Sequence, residues 1–456
     1  MGCSMVDSEL MRAWCSSERA REIWCDENMI RNWIKYWVAL AQAEEEQGIV
    51  PKGTAEAIRE VSDPKLYDFN LLRQQMEETT HPCIPLIWQI EKKAKNGLGK
   101  WVHWGATLQD MSDTAFIMSM KETAEYHEEL LEKLIARLLE RAEEEKKSVM
   151  AGRTHMMHAI PMTMGMKFAI YADEMSRCLI RLRESKSRIL KGMFVGGGGT
   201  VASLYAEGFD GRAVEKRLCE LLGLSVPTAP WPSARDHMTE WAYNLSIMCG
   251  SIGRMCGDLK LMHKQEVGEI EEDFPRGRLG SSTMPHKRNP DNYETIMGMA
   301  WCVNAMEGVA WNCMQVNGER DTATMMADWY YTPCINITAS FCLEMFQWLV
   351  DTIHVYPEKM KQNLSVNRGA LNAETMMIEL GHKIGRMDAH HIVYEAAMNS
   401  YEQKRELADV LLDDPRVTAV FSEKEVREIM DPMHYVGRAD AIVDDVQKTV
   451  GAILKK

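Results

Sequence analysis

An all-α fold is predicted by three features of the sequence. Apolar residues recur at helical period over long stretches, the breaks between them are short and made of Gly and Pro, and no long run alternates apolar with polar residues. The clearest stretch is 126–149, where Leu130, Leu131, Leu134, Ile135, Leu138 and Leu139 recur among Glu, Lys and Arg. At 3.6 residues per turn these six share one face. Similar patterns run through 166–190, 238–266 and 293–316, while the β-branched clusters are short. Long apolar stripes of this kind bury themselves against one another, which is the pattern of a helical bundle.

The breaks fall at 51–53, 97–99, 196–199, 228–232, 274–290 and 356–357. The stretch 274–290 is the longest that is neither apolar nor periodic, and Pro275, Gly277 and Gly280 interrupt it before Ser281. Long irregular segments inside compact domains tend to be functional loops or lids. These breaks place an N-terminal helical domain at 1–106, a long-helix bundle carrying the loop at 107–363, and a C-terminal helical domain at 364–456.

Composition narrows the partners. The 456 residues carry 53 Lys+Arg against 67 Asp+Glu, a net charge of −14, and no basic stripe that could track phosphates. Nucleic acid and anionic membrane surfaces are therefore not expected as partners. No apolar run approaches the ~18–20 residues of a membrane helix. The first seven residues lack the basic and apolar regions of a secretory signal, and Val6 stands where a myristoylation motif starting at Gly2 needs Ser or Thr. A cytoplasmic protein is expected. The 12 Cys contain no C-x-x-C, and Cys249, Cys256, Cys302, Cys313, Cys334 and Cys342 lie in apolar helical patterns. They read as buried reduced thiols, and the 35 Met as core filler, suited to a reducing compartment.

Three segments carry candidate chemistry. The loop Gly280-Ser281-Ser282-Thr283-Met284-Pro285-His286-Lys287-Arg288-Asn289-Pro290 offers hydroxyls, then cations and an amide. A hydroxyl near cations loses its proton more easily, and Lys with Asn can hold an anionic intermediate. Taken alone, the same run also suits a solvated polar loop. The segment Gly152-Arg153-Thr154-His155-Met156-Met157-His158-Ala159 has two His three apart, but no third ligand at metal-binding spacing. The third, Lys100-Trp101-Val102-His103-Trp104-Gly105-Ala106-Thr107-Leu108-Gln109-Asp110, is followed by Asp113-Thr114. The run Gly196–Gly199 lacks the Lys-Ser/Thr of a phosphate loop. His390-His391 sit in a helical pattern and read as surface or packing residues, and the acidic run 143–145 as a solvated helix face.

The loop resembles the signature G-S-S-x-M-P-x-K-x-N-P of the fumarase/aspartase superfamily, and the likeness extends over nearly the whole chain. That resemblance implies three helical domains whose long central helices assemble into a homotetramer, with active sites shared between subunits. It implies that Ser281 is the general base removing a Cβ proton, and that Lys287 and Asn289 hold the substrate carboxylate and its aci-carboxylate intermediate. His155 matches the general acid of the family's G-R-T-H segment, and Glu294 the carboxylate that orients it. Thr107, Gln109 and Asp110 match a substrate-binding region, where Leu108 replaces the usual Ser. His81, in Thr80-His81-Pro82, resembles another active-site His. Along with His103, the residues Thr154, Ser282, Met284, Arg235 and Arg320 are expected on the substrate-binding side. Gly196–Gly199 resembles a Gly-rich turn near the site. No metal and no cofactor are expected, because the family's chemistry is proton transfer.

The branch is less sharply marked. Ile23-Trp24-Cys25-Asp26-Glu27-Asn28 resembles the adenylosuccinate lyases, yet Trp14-Cys15 stands where they carry Arg-Tyr. Glu319-Arg320-Asp321 is followed by Thr322-Ala323-Thr324-Met325-Met326 without their phosphate-binding Ser and Arg, and Ala234 replaces a Gln. Each missing charge-assisted bond is worth ~1.5–3 kcal/mol. Gly105-Ala106-Thr107, the loop and Tyr435-Val436-Gly437 resemble the bacterial 3-carboxymuconate cycloisomerases, which usually have Trp at the place of His155. Retaining the acid favours a leaving group that must be protonated. The expected reaction is anti β-elimination from a succinyl-type, N-substituted aspartate, releasing fumarate and an amine. Lactonising cycloisomerisation is the alternative, and a catalytically silent structural relative is disfavoured by the five retained catalytic residues.

Overall fold

The computed structural model describes residues 4–455, so Gly2 and Cys3, on which the lipidation reading turned, lie outside the described residues. Helix accounts for 67% of the chain, and the all-α expectation holds. Its long helices are Leu108–Glu144, Met164–Ile189, Asp236–His263, Asp291–Asn312 and Thr322–Thr352.

Four of these match the periodic stretches, and the differences have a physical cause. The first begins at Leu108, well before the pattern at 126, because its leading turns are buried all round. Met111, Ala115, Ile117 and Met120 are buried there, but so are Asp110, Ser112, Asp113 and Thr114. A segment surrounded by protein shows no single apolar face. In Thr322–Thr352 the stretch 331–350 is likewise buried or half-buried throughout, and it carries Pro333 in its interior. Cys302 corrects the thiol expectation. It falls on the exposed side of Asp291–Asn312, and Cys334 is half-buried, while Cys249, Cys256, Cys313 and Cys342 are buried.

Strand is confined to two small antiparallel pairs among the described residues. β1 (Val149–Thr154) and β2 (Met157–Thr163) form a hairpin, so the Gly152–Ala159 segment is a β-turn structure. β3 (Ile270–Glu271) pairs with β4 (His354–Val355).

The chain divides into two compact units. One comprises Met1–Leu130, Cys178–Gly253 and Thr295–Met345. Its core gathers Trp33, Ile34, Tyr36, Trp37 and Leu40 of the helix Asp26–Glu46 around Leu86, Phe194 and Leu218. The other comprises Leu131–Arg177, Arg254–Glu294 and Phe346–Lys456. There Met376, Leu380, Ile392, Leu407, Leu411 and Val426 form one cluster, and Val149 and Ala151 of the hairpin pack with Leu364 and Leu371. Among the described residues, no helix is long and apolar enough to cross a membrane.

Candidate active site

In the second unit the signature loop is folded back on itself. A Cβ on Gly280 would meet the Lys287 carbonyl oxygen at 2.4 Å, so only glycine fits this approach. Asn289 closes the turn by donating from Nδ2 to the Gly280 carbonyl at 2.6 Å. The loop base is fixed by Arg278 on Glu272 at 2.9 Å and Arg288 on Glu271 at 2.8 Å. Both guanidinium groups lie against Phe274, at 5.1 and 5.3 Å from the ring centre. Burial pushes the Glu271 carboxyl up, but Arg288 and the Tyr356 hydroxyl hold it below its ordinary value.

Ser281 is half-buried in this loop, and its Oγ accepts from the amides of Met284 at 3.0 Å and Thr283 at 3.3 Å. Two donors aimed at one hydroxyl oxygen favour its charged form. Met284, Lys287, Asn289 and Glu294 line one open cleft of about 810 Å³ with Lys260 and His263. Glu294 faces the Lys260 ammonium at 3.6 Å. Ser282 is exposed. Thr154 and His155 stand exposed at the tip of the hairpin, where His155 has φ +50°.

The remaining candidates belong to the first unit. Asp110 is fully buried. Its carboxylate accepts from the amides of Thr107 at 3.0 Å, Gly196 at 2.9 Å and Val195 at 3.2 Å, tying the start of Leu108–Glu144 to the Gly-rich turn. Burial pushes Asp110 up to about 7, against the pull of these amides and of Arg320. Arg320 donates to Gln109 Oε1 at 2.7 Å, Thr107 Oγ1 at 3.1 Å and the Gly196 carbonyl at 3.3 Å. Gln109 in turn gives its amide to Asp113 at 3.0 Å and to the Pro232 carbonyl at 3.2 Å, which leaves its oxygen turned toward Arg320. Thr107, Gln109, Asp110 and Arg320 are thus brought together as one bonded group.

His103 accepts from Trp37 Nε1 through Nδ1 at 2.9 Å. Burial, with a smaller push from His81, takes it down to about 4, so it is neutral and carries its proton on Nε2. His81, half-buried, accepts from the Ile84 amide at 3.4 Å.

Arg235 corrects the sequence reading. Its side chain is 1% exposed and grips Asp113 at 2.5 Å and Asp328 at 2.6 Å. A guanidinium this deeply buried between two carboxylates is not open to a substrate, and Asp113 links it to Gln109. Asp328 and Glu269, which forms a bidentate pair with Arg153, were not among the residues expected from sequence, and Asp113 was noted only as following the third segment. Their partners lie on distant segments, and no spacing signals such pairs.

A sequence profile described as "Lyase" matches residues 4–305, and one described as "Adenylosuccinate lyase C-terminus" matches 369–446. The chain is 35% identical to an adenylosuccinate lyase of Methanocaldococcus jannaschii over 433 residues, covering 94% of this chain and 93% of the relative. It is 34% identical to an N-acetyl-S-(2-succino)cysteine lyase of Enterococcus italicus over 446 residues, covering 98% and 97%. Among solved structures, the 3-carboxy-cis,cis-muconate lactonizing enzyme of Pseudomonas putida superposes with a TM-score of 0.92 at 31% identity, over 98% of this chain and 100% of that one.

Proposed function

The chain belongs to the fumarate lyase superfamily, and from that premise we propose that it eliminates fumarate from a succinyl-type substrate, an N-substituted aspartate for which adenylosuccinate is the reference. The observation that carries this reading is the signature loop, with the Ser281 oxygen under two amide donors and Lys287 and Asn289 on one cleft with Glu294. Ser281 removes the Cβ proton anti to the leaving group. Lys287 and Asn289 bear the charge that builds on the carboxylate, where fixed donors are worth most. The C–N bond breaks, the electron pair leaves with nitrogen, and His155 supplies the proton while Glu294 orients it. The step is redox-neutral and its atoms balance without a co-reactant. Thr107, Gln109 and Arg320 bind the succinyl portion. Full sites form in a homotetramer, in which the Thr107–Arg320 group of one subunit meets the signature loop of another.

The missing nucleotide contacts favour a smaller adduct, and the Enterococcus relative supports one whose leaving atom is sulfur. Lactonisation of a carboxymuconate is the second reading, favoured by the likeness to the Pseudomonas enzyme. Purified protein offered adenylosuccinate, N-acetyl-S-(2-succino)cysteine and 3-carboxy-cis,cis-muconate decides between them. Fumarate from either succinyl adduct supports elimination. Lactone from the muconate with no fumarate from the other two overturns it.

A further inference from the structure

We propose that Glu269 is a positioning residue for His155, acting by holding a two-residue turn that His155 and Met156 would not keep by themselves. The inference rests on reading His155 as the general acid.

The hairpin is closed between Thr154 and Met157, which face each other as partners across the ladder. The two residues that make the turn both lie in the left-handed region, His155 at φ +50° and Met156 at φ +66°. Two-residue hairpin turns with both positions left-handed are the province of Asn and Gly, because a Cβ crowds the backbone there. His and Met are poor choices, and both are exposed, Met156 at 68%. A strained turn at an exposed tip persists only if the structure beneath it fixes both strand ends.

The ladder alone does not fix them. Its register shifts between Ala151 and Arg153, so the last two pairs, Arg153 with His158 and Thr154 with Met157, are separated from the rest by an irregularity at Gly152. The tip is instead anchored through Arg153. Its Nη1 and Nη2 donate to the two oxygens of Glu269 at 2.9 and 2.6 Å. A planar fork on a planar carboxylate restrains rotation as well as distance. Glu269 is itself held on every side. It is fully buried, it accepts from Asn363 Nδ2 at 2.9 Å, and its backbone bonds the Met262 carbonyl at 3.0 Å and the Tyr356 amide at 2.9 Å. The chain of restraint runs from a fixed carboxylate, through Arg153, to the residue adjoining the turn.

The test uses the full-length protein and four variants: Glu269→Gln, Arg153→Lys, Met156→Gly, and the double Glu269→Gln/Met156→Gly. Glu269→Gln and Arg153→Lys each break the fork and should lower kcat by about 10²-fold, the scale of a misplaced catalytic group. KM should stay within about twofold, because substrate binding is untouched. Glycine prefers the left-handed turn, so the double variant should recover most of the lost kcat. A merely structural Glu269 would give no such recovery, and its absence overturns the proposal. A readout independent of turnover is the His155 Cε1–H resonance, assigned by its loss in His155→Gln. It should broaden in Glu269→Gln and Arg153→Lys and sharpen again in the double variant. An unchanged line in the first two overturns the proposal even if no substrate is turned over. Undiminished turnover in His155→Gln would instead remove the general-acid reading, leaving the resonance to decide the positioning. Should Glu269→Gln not fold, Arg153→Lys with and without Met156→Gly carries the same comparison.

Discussion

A serine acts as a base only when its oxygen is made to carry charge, and in the proposed mechanism the amides of Thr283 and Met284 favour this at Ser281, with Lys287 on the neighbouring cleft. In the proposed mechanism the acid at the other end of the reaction is His155, and how much it matters depends on what leaves. A thiolate departs as a fairly stable anion at neutral pH, whereas nitrogen must be protonated. His155→Gln should therefore slow fumarate release from an N-linked succinyl adduct by about 10²–10⁴-fold, the range for a lost general acid. Release from an S-linked adduct should suffer much less, and equal losses on the two would contradict the role. Most of these residues were legible in the sequence because they sit in contiguous motifs such as 280–290 and 152–155. Arg235 was misread for the opposite reason. The resemblance places it on the substrate-binding side, but its bonding to Asp113 and Asp328 is visible only in three dimensions.

At the scale of elements, that buried triad joins three helices of one unit. Arg235 precedes Asp236–His263, Asp113 lies on Leu108–Glu144, and Asp328 on Thr322–Thr352. Replacing Arg235 by Met leaves two carboxylates buried without their cation, which should cost ~3–5 kcal/mol. A urea titration should show the midpoint falling accordingly, and an unchanged midpoint would refute the structural role. The helix Asp26–Glu46 carries the opposite case, a buried acid with no cation. Glu44 is 1% exposed, neither of its carboxylate oxygens has a protein hydrogen-bond partner, and burial raises it to about 9. In the unfolded chain it ionises near its ordinary value of 4.5. Between those two values the folded state holds a proton that the unfolded state has lost, so stability falls as pH rises from 4.5 to about 9. The Glu44→Gln variant should be the more stable at pH 8 and match the wild type more closely at pH 5, as melting temperatures across the range would show. A gap that does not widen with pH would contradict this. The periodic helices were legible because one face of each is wet. The leading turns of Leu108–Glu144 were not, because burial on every side erases the pattern, and the hairpin at 149–163 was too short to register against long helices.

At the scale of the whole molecule, the all-α class followed from helical period alone, while the assembly does not follow from one chain's pattern. Trp301, Trp311 and Tyr330 are 67%, 61% and 76% exposed on Asp291–Asn312 and Thr322–Thr352. Large aromatics on long helices are the kind of surface that subunits cover. On the proposed tetramer, a fraction that light scattering identifies as monomer should be inactive, and full activity in such a fraction would end the shared-site account. The claim on which the rest depends is that Ser281 starts an elimination yielding fumarate. The most direct measurement is mass-spectrometric detection of fumarate from adenylosuccinate and from N-acetyl-S-(2-succino)cysteine, with the wild type and Ser281→Ala side by side. The account predicts fumarate from at least one of them, reduced about 10²–10⁴-fold in Ser281→Ala with an unchanged melting temperature. Fumarate that forms as fast without the Ser281 hydroxyl, or no fumarate from either adduct, would contradict it.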